Sequence, residues 1–253
     1  MHPILFKLGP ISVYSYGVMV ALGFAVSLGL IWHRAPTFGL DRDKVIDYAI
    51  LVLITGVAGA RILYVLLNLE YYVARPLEVV NLSKGGLVWY GGFALALTAS
   101  LLFVRIKRLD FWAMSDLVAP YLALAQAFGR VGCFFNGCCY GVEVRQDFPL
   151  GAVLAPDGIS RFPAQLYSAF LLIAIFALLR FWQDRKHFNG EIFLGYCMLY
   201  ADKRFFMEFL RGDNPKILMG LTLSQLISIS VFMVASALFV YMLERWKKGI
   251  SSA

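Results

Sequence analysis

The sequence predicts an all-α integral membrane protein of about seven transmembrane helices, with its N-terminus outside and its C-terminus cytoplasmic. Three observations carry this expectation. Hydrophobic residues fill 60% of the 253 positions and charged ones only 15%, whereas about a quarter of a soluble domain is charged. Several windows exceed the roughly 18–20 apolar residues needed to cross about 30 Å of hydrocarbon. The segments between those windows are alternately rich and poor in Lys and Arg, which is how cytoplasmic and outer loops differ. On that pattern the net charge of +7 marks cytoplasmic loops and not a nucleic-acid partner.

Taken in order, the spans run Tyr14–Trp32, Val45–Leu69, Leu87–Val104, Phe111–Phe134, Ala164–Trp182, Glu191–Leu210 and Leu221–Leu243. The first is read as a retained span, because it lacks the basic start and small-residue cleavage site of a signal peptide. Without an internal repeat or low-complexity tract, residues 1–253 are expected to form a single polytopic membrane domain. Twelve Lys and Arg follow spans one, three, five and seven, ending with Arg245, Lys247 and Lys248; seven lie on the other side, from Lys7 to Lys216 and including Lys84. That asymmetry sets the orientation. The outer segments Glu70–Gly86 and Asn136–Pro163 are the longest, and their apolar pieces YYVARPLEVVNL and PLGAVL are expected to lie in the interface plane.

Charged residues inside a span cost at least about 2.5 kcal/mol at its centre, so each is a candidate functional residue. They are Asp47, Arg61, Asp116, Arg130, Asp202, Lys203, Arg204 and Glu208. The predicted orientation places Tyr16, Arg61, Tyr90, Arg130, Arg204 and Glu208 at the level of the outer leaflet. Asp47 and Asp116 fall at inner ends, where helix capping is their expected role. Three arginines at one depth make a pocket for an anion. Arginine binds phosphate bidentately, and an anionic phospholipid is the abundant anion there. The competing structural reading pairs Arg204 with Glu208 at i, i+4 and lets Arg130 snorkel to headgroups.

The stretch Gly129–Gly141, GRVGCFFNGCCYG, resembles the signature of bacterial prolipoprotein diacylglyceryl transferases. LGPISVYSYG, the Gly-Ala-Arg61 of span two, GGLVWYGG, RFPAQLYSA and YADKRFFMEFLRGDNP are similar to further family stretches, in the family's order and over nearly the whole chain. The resemblance implies transfer of the diacylglyceryl group of phosphatidylglycerol to the lipobox cysteine of a prolipoprotein signal peptide, with release of glycerol phosphate. It also implies a bacterial cytoplasmic (inner) membrane, an active site towards the outer leaflet, and no cofactor, metal or internal nucleophile. By the same resemblance Arg130, Arg61, Asn136 and Gly141 are expected to bind phosphatidylglycerol. Arg204, Tyr90, Tyr16, Glu208 and Tyr200 are expected to be catalytic.

The chain departs from that pattern at three places. Tyr90 stands where the family commonly has histidine, Cys133 where it has the first signature asparagine, and Cys138 where it has glutamate. A phenol with an ordinary pKa of about 10 is a weak base at neutral pH. The departures leave open whether histidine is dispensable, whether Tyr90 replaces it, or whether the chain is a divergent paralogue with another lipid or acceptor. A membrane thiol oxidoreductase using Cys133, Cys138 and Cys139 is the rival enzyme. It is disfavoured because C-x-x-C is missing and a vicinal bridge is strained. A metal site is disfavoured because the three cysteines crowd within seven residues and the histidines are scattered. An anion transporter would show a repeat and broken helices.

Overall fold

A computed structural model describes residues 3–8, 11–81, 85–148, 153–154, 158–211 and 214–251. His2, Lys84, Leu82 and Pro149–Ala152 of the two interfacial stretches, and Gly212 and Asp213 of the YADKRFFMEFLRGDNP motif lie outside the described residues. The elements are β1 (Ile4–Leu8), β2 (Ile11–Tyr14), α1 (Ser15–Arg34), α2 (Arg42–Leu67), α3 (Leu69–Val73), α4 (Trp89–Ile106), α5 (Phe111–Asn136), β3 (Val153–Leu154), β4 (Ser160–Arg161), α6 (Ala164–Gln183), α7 (Glu191–Phe209), β5 (Lys216–Leu218), β6 (Leu221–Thr222) and α8 (Leu223–Ser251). Short 3₁₀ turns cover Ala35–Phe38 and Pro76–Val80. The strands form three two-stranded antiparallel hairpins, β1 with β2, β3 with β4 and β5 with β6. The protein is mostly helical.

Each of the seven predicted spans coincides with one long helix, namely α1, α2 and α4 to α8. Six of those helices are long and apolar enough to cross a membrane. The exception is α7, whose 19 residues include Glu191, Asp202, Lys203, Arg204 and Glu208. The burial pattern inverts that of a soluble protein. Large apolar side chains such as Ile54, Leu67, Ile106, Phe170 and Val234 are exposed, while Ser15, Arg61, Asp116, Gln165, Glu191 and Glu208 are buried. Lipid as surrounding solvent explains both halves: apolar residues need no shelter from it and polar ones do.

The chain divides into two compact units, one of Met1–Ile31 with Ser115–Ala253 and the other of Trp32–Met114. The larger unit is held by small residues. Ala119, Ala123 and Ala127 recur every fourth position on α5, and pack with Leu172, Ile175 and Leu179 of α6 and with Ile192 and Tyr196 of α7. Alanine at that spacing lets backbones approach closely, which is the main attraction available between helices in lipid. Gly132 of α5 fits against Tyr16 and Met19 of α1, where an added Cβ would come within 3.1 Å of the Met19 Cβ.

Asp116 is the polar keystone of this unit. Its fully buried carboxylate accepts from the backbone N–H groups of Gly190 (2.8 Å), Ile192 (3.0 Å) and Phe193 (3.0 Å), and pairs with Lys186 Nζ at 2.9 Å. The start of α7 has N–H groups without intrahelical partners, and a carboxylate there also meets the positive end of the helix dipole. The capping role expected of Asp116 is therefore met, although the helix it caps is α7 and not its own. Glu191, also buried, accepts from Trp182 Nε1 (2.7 Å) and the His187 N–H (2.6 Å) at the same turn.

In the smaller unit, α2 and α4 touch through glycine. A Cβ on Gly59 would strike the Gly91 carbonyl, and one on Gly92 would lie 2.6 Å from the Gly56 carbonyl oxygen. Asp41 caps α2 through its side chain, accepting from the Asp43 N–H at 2.8 Å.

Candidate active site

The site is built where α5 ends. Its last turn closes with Gly137 N–H to the Phe134 carbonyl (3.2 Å) and Cys138 N–H to the Cys133 carbonyl (3.1 Å). The chain reverses through left-handed residues, Gly137 at φ 73° and Cys139 at φ 63°. Glycine adopts that conformation freely; a side-chain-bearing residue does so at a cost of order 1 kcal/mol. The turn is pinned by the buried Gln165 of α6, which donates to the Cys138 carbonyl at 2.7 Å. Beyond it, the Gly141 N–H donates to the Phe162 carbonyl and the Val142 N–H to the Leu210 carbonyl, both at 2.9 Å. The end of α5 is thereby tied to the start of α6 and the end of α7.

These three ends enclose a narrow cleft whose wall carries Arg130, Gln165, Lys203, Arg204, Arg211 and Cys139. Four cations share it. Arg204 Nη2 lies 3.0 Å from Glu208 Oε2, and the same nitrogen donates to Ser224 Oγ at 2.8 Å. Glu208 is fixed in turn, its other oxygen accepting from Asn214 Nδ2 (2.6 Å) and Thr222 Oγ1 (2.9 Å). The i, i+4 pair anticipated from spacing is thus formed. It leaves Arg130 and Lys203 in the cleft without such a pair. Lys203 is 7% exposed and its ammonium stands 5.1 Å from the centre of the Tyr200 ring, with no carboxylate partner among the described residues. Arg130 makes no hydrogen bond or ion pair with a described residue. Burying like charges together costs several kcal/mol, so the cleft is an electrostatic receptor for an anion.

Other expected residues sort by what they touch. Tyr16, half-exposed at the start of α1, is within electrostatic range of Arg130 and of Cys133, Cys138 and Cys139. Tyr200 lies on α7 beside Lys203 and Arg204. Asn136 ends α5 and engages the Cys138 thiol. Gly141, expected to bind lipid, is instead a packing glycine: a Cβ there would fall 2.6 Å from the Leu210 carbonyl oxygen and 2.9 Å from the Phe162 Cβ. Tyr90 belongs to the smaller unit and is 60% exposed in the first turn of α4.

Arg61, also in the smaller unit, requires a correction. Its guanidinium donates to the carbonyl oxygens of Glu78 (2.6 Å), Val79 (2.7 Å), Asn81 (2.9 Å), Gly85 (3.0 Å) and Gly86 (3.1 Å). It also lies over the rings of Tyr64 and Tyr72. Arginine has five N–H donors, and five carbonyls occupy them, so none is left for a phosphate. Arg61 organises the segment between α3 and α4.

Sequence reasoning missed three contributors. Lys203 appeared only as one intramembrane charge among eight, and Arg211 only as one outer-side cation. Gln165 sits inside the RFPAQLYSA stretch without having been singled out. The cysteines also change character. Their crowding within seven residues had argued against a shared site, yet the turn at Gly137 brings the Cys133, Cys138 and Cys139 sulfurs within 4.8 Å of one another. Cys138 and Cys139 Sγ lie 3.7 Å apart. Hydrogen bonding from the Cys133 thiol, then from Cys138, together with the nearby Arg211 and Arg130 charges, outweighs burial and holds the Cys139 thiol down at about 5.

A sequence model of the family described as "Prolipoprotein diacylglyceryl transferase" matches residues 3–241. The chain is 35% identical to a phosphatidylglycerol–prolipoprotein diacylglyceryl transferase of Clostridium tetani, over 98% of this chain and 100% of the relative. It is 34% identical to the protein of that name in Limosilactobacillus reuteri, over 98% and 92%. It is also 32% identical to phosphatidylglycerol–prolipoprotein diacylglyceryl transferase 2 of Clostridium perfringens, over 98% and 97%. With a cationic cleft at the end of its signature stretch and matches over nearly its whole length, the chain belongs to the prolipoprotein diacylglyceryl transferase family.

Proposed function

We propose that this protein transfers the diacylglyceryl group of phosphatidylglycerol to the lipobox cysteine of prolipoprotein signal peptides, the first step of bacterial lipoprotein maturation. The names of its relatives supply donor and acceptor. The observation that carries the reading in this chain is the cleft of Arg130, Lys203, Arg204 and Arg211, in which Arg130 and Lys203 have no carboxylate partner among the described residues. The acceptor thiolate attacks the glycerol carbon of the lipid. The carbon–oxygen bond to phosphate breaks, and the electron pair leaves with glycerol phosphate, which becomes a dianion. Fixed cations stabilise that growing charge more than they stabilise the bound lipid, and this difference is what lowers the barrier. Arg130 and Lys203 receive the phosphate. Arg204, held by Ser224 and Glu208, presents its remaining N–H groups. Tyr16, within electrostatic range of Arg130, and Tyr200, beside Lys203, orient the substrate.

In this reading residues 1–253 act as one polytopic domain in the bacterial cytoplasmic membrane. α7 is the sixth span, with Lys203 and Arg204 turned towards the cleft. The N-terminus is outside, the C-terminus is cytoplasmic, and the cleft lies at outer-leaflet depth. The test is direct: purified protein, phosphatidylglycerol in detergent and a lipobox peptide should yield a peptide heavier by one diacylglyceryl group on its cysteine. An unmodified peptide after prolonged incubation overturns the reading.

A further inference from the structure

Cys133, Cys138 and Cys139 have no part in phosphate binding, yet they form the tightest cluster of soft donors in the described residues. Their sulfurs all lie within 4.8 Å of one another. A zinc ion with Zn–S bonds of about 2.3 Å holds tetrahedral sulfurs about 3.8 Å apart. Cys138 and Cys139 Sγ already stand at 3.7 Å. The remaining separations need shorten by no more than about 1 Å, within the reach of side-chain rotation. The scaffold beneath is rigid: Cys133 is helical, the Cys138 carbonyl is held by Gln165 at 2.7 Å, and Cys139 is locked in a left-handed conformation at φ 63°. That conformation turns two consecutive side chains to the same place, which an extended Cys-Cys pair cannot do.

We propose that Cys133, Cys138 and Cys139 bind zinc as three thiolates, and that the open fourth position takes the acceptor cysteine of the substrate. Three thiolates on a dication leave one net negative charge, and Arg130 and Arg211 stand close enough to Cys139 to offset it. Catalytic zinc sites keep three protein ligands and one exchangeable position, whereas structural sites fill all four. Cys139 lies on the cleft wall with Arg130, Lys203 and Arg204, so a sulfur bound at the fourth position is delivered beside the phosphate-binding cations. Coordination releases the acceptor's thiol proton to solvent, since a ligating thiol is deprotonated outright. The zinc-bound thiolate then forms the carbon–sulfur bond as the carbon–oxygen bond breaks. The pair of electrons leaves on glycerol phosphate, and the neutral thioether, a weak ligand, vacates the metal. This gives the chain a route to a thiolate nucleophile that needs no histidine at the position of Tyr90.

The occupant of the fourth position rests on the transfer reaction proposed above; the three-sulfur site does not. The purified full chain, stripped with a chelator, should take up one zinc per chain, with loss of most of that uptake in Cys133→Ser and Cys139→Ser. Cys197→Ser is the control, because Cys197 packs beside the α5–α6–α7 core outside the cluster, and its uptake should equal that of the parent. Should the serine variants fail to fold, cobalt loading of the unmodified chain reads the same geometry, through thiolate-to-metal charge transfer and intense tetrahedral d–d bands. A lipobox peptide added without lipid should shift those bands, and its Cys→Ser counterpart should not. Failure to bind zinc, or octahedral cobalt without thiolate bands, overturns the site. A thiolate-ligated cobalt spectrum that the peptide leaves unmoved overturns the fourth-position role. A shifted spectrum with no transferred lipid sustains the site and refutes the transfer reading instead.

Discussion

Replacing Asp116 by alanine tests how the larger unit holds α7 in place. The substitution removes the acceptor for three backbone N–H groups and the partner of Lys186 from a fully buried position. Hydrogen bonds to a charged group contribute roughly 1.5–3 kcal/mol each. They share one carboxylate, and the lysine is partly wet, so the loss is set by breaking a buried pair, about 3–5 kcal/mol. For a chain of this size each kcal/mol moves the melting midpoint by about 2–4 °C. Asp116→Ala should therefore lower the apparent Tm in detergent by roughly 6–20 °C. Asp116→Asn keeps an oxygen for Ile192 and Phe193 and should lose about half as much. Arg130 lies on the same helix about 21 Å away at ~1.5 Å per residue, so phosphatidylglycerol binding by the folded protein should not change. An alanine variant melting within about 2 °C of the parent, or one that binds lipid poorly at unchanged Tm, refutes the capping assignment.

Further outcomes are expected at single residues. Arg61→Lys, limited to three donors from one nitrogen, should expose the segment between α3 and α4 to faster backbone hydrogen exchange while leaving the lipid affinity of the folded protein unchanged; selective loss of lipid affinity would restore the phosphate role. Gly141→Ala forces a Cβ against the Leu210 carbonyl and Phe162, and should lower stability by about 1–3 kcal/mol, read as a lower Tm in detergent; a neutral effect would mean the turn relaxes freely. With a chelator present, Cys139 should be alkylated faster than Cys133 or Cys138 at pH 6. Its lowered pKa of about 5 keeps it ionised above that pH, so its labelling should fall as pH drops through 5. Peptide mapping by mass spectrometry reads the order, and equal labelling of all three contradicts it.

Much of the helical framework was legible because lipid imposes a one-dimensional rule: a span must be long and apolar, and hydropathy along the chain shows it. α7 was legible for another reason, since its charges matched a family stretch even though they dilute its hydropathy. The capping role of Asp116 followed from its place near a helix end, but its target 74 residues onward did not. Arg61 was misread because depth alone cannot reveal that five carbonyls from 17 to 25 residues downstream converge on one guanidinium. Lys203 was overlooked beside Arg204, although adjacent helical residues can both border a cleft that wraps the helix end. The sulfur cluster depended on a left-handed turn at Gly137 and Cys139, and a non-glycine residue in that conformation leaves no reliable mark in sequence.

The central claim is that the cleft cations act on the departing phosphate. Its most direct measurement is single-turnover transfer by Arg130→Ala and Arg204→Ala, with saturating phosphatidylglycerol and a lipobox peptide, alongside each variant's Tm. Removing one preorganised donor to a developing anion typically costs about 10²–10³ in rate. The account predicts a loss of that size in each variant, with the Tm of Arg130→Ala close to the parent's and that of Arg204→Ala lowered by the unpairing of buried Glu208 but still above the assay temperature. Near-parental turnover in either variant would contradict it.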